Sequence, residues 1–135
     1  MLEFHHIGLL TDQPEAARQR LKALGYAAGP IVDDPLQEAR LQMCVGSPGV
    51  AAIELVTPLP SNRGLGNLLK RRGDFMYHIC FTAPTFDVAL QSLSLGSDDR
   101  ILTVSPPKPA ILFGNARVAF YLASGLGLVE VLERT

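Results

Sequence analysis

The chain has 135 residues, 47% of them hydrophobic and 19% charged, which supplies a packed core and excludes a disordered polymer. Twelve Lys and Arg against thirteen Asp and Glu leave a formal charge of −1, so no broad positive field recruits nucleic acid. The longest stretch free of Asp, Glu, Lys and Arg, Leu41 to Ile53, is broken by Gly and Pro and falls short of the roughly 20 apolar residues of a membrane helix.

The first predicted strand is Phe4-His5-His6-Ile7-Gly8-Leu9. Nothing in Met1 to His6 resembles a basic segment followed by an apolar run, so the cytoplasm is the expected compartment, with no membrane partner. Ala17, Leu21 and Leu24 then form a helical stripe, with Asp12 as its expected cap, Pro14 in its first turn and Gly25 as its stop. Three strands follow, around Tyr26 to Ile31, Arg40 to Val45 and Val50 to Thr57, the last two separated by the turn Ser47-Pro48-Gly49. Leu65, Leu68 and Leu69 predict a short connecting helix, ended by Lys70-Arg71-Arg72 and Gly73, where the helix dipole favours cations.

The same order then starts again. A strand over Met76 to Phe81 leads into a helical stripe of Phe86, Ala89, Leu90 and Leu93, capped by Thr85 and stopped by Gly96. Strands around Arg100 to Val104, Arg117 to Leu122 and Leu126 to Leu132 follow, the last two joined at Ser124-Gly125. Ser105 to Asn115, with Pro106, Pro107, Pro109 and Phe113-Gly114, reads as a long loop, either a stiff hairpin connection or a cover over a ligand. Cys44 and Cys80 both lie in strand-like runs, which suits reduced, buried thiols.

Both halves therefore read strand, helix, strand, strand, strand, an α+β arrangement of two tandem βαβββ modules: module 1 over about 1–60, the connecting helix over about 61–73 and module 2 over about 74–135. A module of ~60 residues is marginal alone, so the two are expected to share one domain. His6 and His78 are offset by 72 positions, and Ala52-Ile53-Glu54-Leu55-Val56 matches Leu128-Val129-Glu130-Val131-Leu132 at an offset of 76. In each closing strand a lone Glu shares its face with apolar residues, and an unpaired buried charge costs several kcal/mol. Two imidazoles and two carboxylates at duplicated positions are a donor set for Zn, Co, Ni, Mn or Fe with coordination positions left open. The bland reading of each residue is a hydrogen-bonded core histidine or a glutamate paired with arginine. His5 should face away from His6, and Cys80 shares the face of His78.

Modules that open on His and close on Glu resemble the vicinal oxygen chelate superfamily, which includes glyoxalase, extradiol dioxygenases and methylmalonyl-CoA epimerase. The runs His6-Ile7-Gly8, Ile53-Glu54-Leu55-Val56-Thr57-Pro58-Leu59, Leu68-Leu69-Lys70-Arg71-Arg72-Gly73, Tyr77-His78-Ile79-Cys80-Phe81 and Val129-Glu130-Val131-Leu132-Glu133 are most similar to the epimerase. The resemblance implies an incomplete eight-stranded barrel around a central cavity, a divalent metal ion (Zn, Co, Ni or Mn) on His6, Glu54, His78 and Glu130, and a homodimer. It implies isomerisation or epimerisation of a methylmalonyl-CoA-like acyl thioester, linked to CoA or a carrier protein, through an enolate. Glu130 would be ligand and base together. The second base of the epimerase would fall at Leu36; Glu38 substitutes for it if the loop path differs, and is otherwise a solvated loop charge. Lys70, Arg71 and Arg72 read either as a phosphate contact for the CoA arm or as a solvated helix end. Two alternatives stay open: a glyoxalase-like lyase using a thiol adduct, and a non-catalytic small-molecule-binding module on the same scaffold.

Overall fold

The computed structural model describes residues 2–96 and 100–134. The elements run β1 (Glu3–Leu10), α1 (Pro14–Ala23), β2 (Ala27–Asp34), β3 (Ala39–Val45), β4 (Ala52–Pro58), α2 (Arg63–Arg72), β5 (Phe75–Ala83), α3 (Phe86–Leu93), β6 (Ile101–Ala110), β7 (Ala116–Ala123) and β8 (Gly127–Glu133), with a 3-10 turn at Ile111–Phe113. This is an α+β fold of two βαβββ modules. The chain divides into two compact units, residues 6–77 and residues 1–5 with 78–135.

In the unit of residues 6–77 the strands lie in the order β2-β3-β4-β1. β1 and β4 run parallel because α1 carries the chain across one face of the sheet, and the other pairs are antiparallel hairpin partners. The period-2 pattern of the strands decides what each face does. Leu9, Ile53, Leu55 and Cys44 meet Leu21, Ala17 and Tyr26 on the helix-covered face. Leu10, Leu41 and Val56, which the register sets side by side, are buried on the opposite face. Leu55 is 1% exposed, so Leu55→Ala should cost about 2–5 kcal/mol through lost transfer energy and cavity formation, read as a drop in the urea midpoint at constant m-value.

Helix α1 departs from the expected cap. Gln13, not Asp12, holds the cap position and makes no side-chain bond there; Pro14 sits in the first turn, where its fixed φ suits helix entry. The Thr11 hydroxyl accepts the Gln13 amide at 2.9 Å, while the Asp12 amide donates to Asp74 at 3.4 Å. Strand β2 runs past the expected end at Ile31 to Asp34, through Gly29-Pro30, with a register shift between Ala28 and Ile31. It is an edge strand, where a missing ladder N–H is tolerated. The β2–β3 turn is set by Asp34, whose buried carboxylate accepts the Leu36 and Gln37 amides at 3.1 and 3.2 Å, a side-chain mimic of a backbone turn. Helix α2 is capped by Asn62, which accepts the Leu65 amide, and ends at Gly73 with φ +73°, a conformation glycine adopts without strain.

In the other unit the order is β5-β8-β7-β6, again with the first and last strands of the module parallel and the rest antiparallel. Thr85 caps α3 by accepting the Val88 amide. Ala89 of that helix packs among Ala83, Ala119, Tyr121, Val129 and Val131, with Phe86, Leu90 and Leu93 at the margin. The stretch expected as a loop is mostly strand: β6 continues through Pro106, Pro107 and Pro109 to Ala110, shifting register twice against β7. The prolines are accommodated because β6 is the edge of its four-stranded group. Gly114 and Asn115, at φ +63° and +66°, complete the connection after the 3-10 turn.

The opening residues belong with this unit. Phe4 stacks edge-on against Phe81 with centroids 5.7 Å apart, Glu3 is ion-paired with Arg134, and Leu2 packs against the α3-covered core. Burial, and secondarily the Asp87 charge, pushes the Tyr121 phenol above its usual pKa, and burial does the same to the Cys44 thiol. An acid held neutral in the native state but ionised when unfolded makes stability fall as pH rises. The urea midpoint should therefore be flat near pH 7 and decline once the pH passes the ordinary values of 9.0 for the thiol and 10.0 for the phenol. A midpoint unchanged between pH 7 and 10.5 would count against this burial.

Candidate functional site

Each unit carries one buried imidazole–carboxylate pair, built the same way. In residues 6–77 the register sets His6 of β1 beside Ala52 of β4, and Gly8 beside Glu54. Gly8 adds no side chain beside Glu54, and the Glu54 carboxylate lies against His6, with Nε2 to Oε1 at 3.4 Å. Both residues are buried, and Met43 of β3 stands at the other side of Glu54.

The second pair is His78 of β5 and Glu130 of β8, with Nε2 to Oε1 at 3.2 Å and both side chains buried. Cys80 lies beside Glu130 where Gly8 lies beside Glu54, and Phe120 takes the place of Met43. The His78 ring meets Phe120 edge-on at 5.3 Å. On the same face of the sheet Cys80, Ala110, Val118 and Leu132 form a buried apolar cluster. Cys80 is a reduced, fully buried thiol.

Removing a carboxylate from water is costly unless a partner or ion compensates it. Here each buried carboxylate has an imidazole nitrogen at hand, and nitrogen with oxygen donors suits divalent ions of borderline softness. The expected donors Glu54 and Glu130 are thus each paired with the expected histidine of the same module. Arginine, the ordinary partner of a strand glutamate, is instead used at the surface: Arg40 with Asp33 at 2.7 Å and Arg117 with Glu133 at 2.9 Å.

The remaining sequence candidates fall elsewhere. Glu38 is exposed in the β2–β3 turn at φ +55°, and its carbonyl, not its carboxylate, is engaged, accepting the Leu59 amide at 3.0 Å and the Asn62 side chain at 3.3 Å. Leu36 is exposed in the same turn. His5 is half-buried with its ring edge-on to Phe113 at 5.4 Å. Arg72 lies over the Phe75 ring at 4.2 Å, a cation–π contact, while Lys70 and Arg71 are exposed. The residues flanking each carboxylate, Gly8 with Met43 and Cys80 with Phe120, are set by strand register, which the repeat alone did not give.

Residues 5–120 match the model of the glyoxalase/bleomycin resistance protein/dioxygenase superfamily. The chain belongs to this family, the vicinal oxygen chelate superfamily. Its fold is similar to that of the methylmalonyl-CoA epimerase of Mycobacterium tuberculosis, with a TM-score of 0.77 and 19% identity over 98% of this chain and 87% of that one. A hypothetical protein of Bacillus halodurans C-125 also scores 0.77, with 20% identity over 99% of this chain and 95% of that one. A variant of the Streptomyces coelicolor methylmalonyl-CoA epimerase, solved with 2-nitronate-propionyl-CoA, scores 0.73 at 19% identity over 98% and 96% of the two chains. No curated protein matches the chain in sequence. Among the described residues no helix is long and apolar enough to cross a membrane.

Proposed function

We propose that the protein is a metal-dependent isomerase or epimerase of the vicinal oxygen chelate type acting on an acyl thioester, with His6, Glu54, His78 and Glu130 as ligands of one divalent ion (Zn, Co, Ni or Mn). The observation that carries this reading is the duplication: each module buries one imidazole against one carboxylate at repeat-equivalent strand positions. A structural role for one such pair would be ordinary, whereas keeping both buried spends desolvation energy twice, which a shared cation repays. The complexes of related epimerases with methylmalonyl-CoA and 2-nitronate-propionyl-CoA support a CoA thioester as the substrate class. A homodimer and a single 135-residue functional domain belong to the same reading.

When bound, the ion supplies electrostatic stabilisation to charge developing on a carbonyl oxygen, which acidifies the adjacent carbon. The chain supplies the proton traffic. Glu130 accepts the proton from that carbon and returns it, its carboxylate flanked by Phe120 and Cys80, whose bulk keeps water from its sides and sharpens the interaction. Glu38 acts as the second base if the reaction is a two-base inversion; with Glu38 exposed in the β2–β3 turn, Glu130 alone supports solvent exchange and a one-base isomerisation in which the proton is delivered to a different atom.

The test is metal analysis of the purified protein combined with incubation of methylmalonyl-CoA in deuterium oxide. Stoichiometric divalent metal and deuterium at the alpha carbon are the expected results. A protein that holds no metal after exposure to Zn, Co, Ni or Mn, or that catalyses no exchange when loaded, overturns the reading.

A further inference from the structure

The two pairs differ in what lies next to them along the strands. In residues 78–135 the register places Leu128 beside Leu122 and Leu122 beside Leu102. Leu128 precedes Glu130 by two residues, so all three leucines share its face, the one turned away from α3. Leu102 and Leu122 are 64% and 44% exposed, although their neighbours Ile101, Tyr121 and Ala123 on the other face pack into the core. In residues 6–77 Ala52 likewise precedes Glu54 by two residues, and Val45, two residues beyond the Glu54 partner Met43, pairs with Ala27. One carboxylate thus opens onto three leucines and the other onto alanine, valine and alanine.

We infer that the row Leu128, Leu122 and Leu102 is the specificity surface of the site and receives the alkyl arm of the acyl group. This rests on the proposed acyl-thioester reading and extends it to a substrate class, thioesters whose acyl part carries an apolar chain or branch. The occupant is argued from continuity: the row begins two residues from Glu130 and leads outward from it, and exposed apolar side chains in line with a reactive group contribute binding energy only when something apolar covers them.

The experiment measures binding of acetyl-, butyryl- and hexanoyl-CoA to the cobalt-loaded protein by calorimetry and by the cobalt absorption spectrum, in the wild type, in Leu102→Ala/Leu122→Ala and in Val45→Ala. Affinity should rise with chain length in the wild type, by at most about fourfold per buried methylene. It should lose most of that dependence in the double leucine variant and keep it in Val45→Ala. Both variants change exposed side chains, and circular dichroism checks that they fold. An unchanged chain-length dependence in the leucine variant overturns the inference, as does a fall in mass by analytical ultracentrifugation without a change in that dependence, which would make the row a contact between copies. Acetate, butyrate and hexanoate, tested against the same cobalt spectrum, separate the two proposals. If they show the leucine-dependent trend while no CoA ester binds, the thioester reading fails and the row stands; if neither series depends on the leucines, the row fails.

Discussion

Replacing His78 with alanine is expected to lower divalent-metal affinity by more than about a hundredfold, since even partners that only orient a ligand are worth about 10–100-fold. His78 is buried against Glu130, so no other imidazole of its unit takes its place: His5 is committed to an edge contact with Phe113. Dialysis against buffered zinc followed by metal analysis gives the content directly, and competition with a chromophoric chelator gives the affinity. The substitution also leaves the Glu130 carboxylate buried without its imidazole, a change worth about 3–5 kcal/mol in comparable pairs. Thermal unfolding is therefore measured alongside, and His78→Gln, which keeps volume and polarity, serves where the alanine variant is too unstable. A metal bound to the native state alone also raises stability, by about 2.7 kcal/mol at a hundred times its dissociation constant. The wild type should gain this increment on adding zinc and the variants should not. Equal metal content in wild type and both variants would remove His78 from the site.

The second large effect separates the two carboxylates that proton transfer could use. Glu130→Gln should reduce deuterium exchange at the alpha carbon of methylmalonyl-CoA by about 10²–10⁴-fold, the usual worth of a positioned general base, with the residual rate measured at saturating metal to correct for the lost ligand. Glu38→Gln should change it by less than about threefold, because Glu38 is exposed in the β2–β3 turn and contributes its carbonyl to the fold. Comparable losses in both variants would restore two-base inversion and require the turn to move on substrate binding.

The duplicated skeleton was legible because it is written in hydrophobic period and in matched polar exceptions. His6 with His78 and Glu54 with Glu130 stand out as the charged intruders in apolar strands, and in each module the fold pairs them. What sequence patterning misjudged were places where an edge position changes the meaning of a residue. Pro106, Pro107 and Pro109 signal a loop to any reading that assumes a central strand, yet the outer side of β6 has no ladder to interrupt. Asp12 looked like a cap, but Pro14 already satisfies the geometry of the helix start, and the polar work passed to Thr11. The turn made by Asp34 and the unequal rows beside the two carboxylates depend on register, and register is a pairing property that no single strand reveals.

The placement of the first five residues with 78–135 has a consequence for biosynthesis. Glu3 and Phe4 are synthesised before their partners Arg134 and Phe81, so these contacts close only once the second module is being made. These residues stay without those partners until the second module is made, and a fusion that tethers or removes them handicaps residues 78–135 rather than residues 6–77. A fragment beginning after α2 should accordingly recover its native spectrum when the missing amino-terminal peptide is supplied in trans.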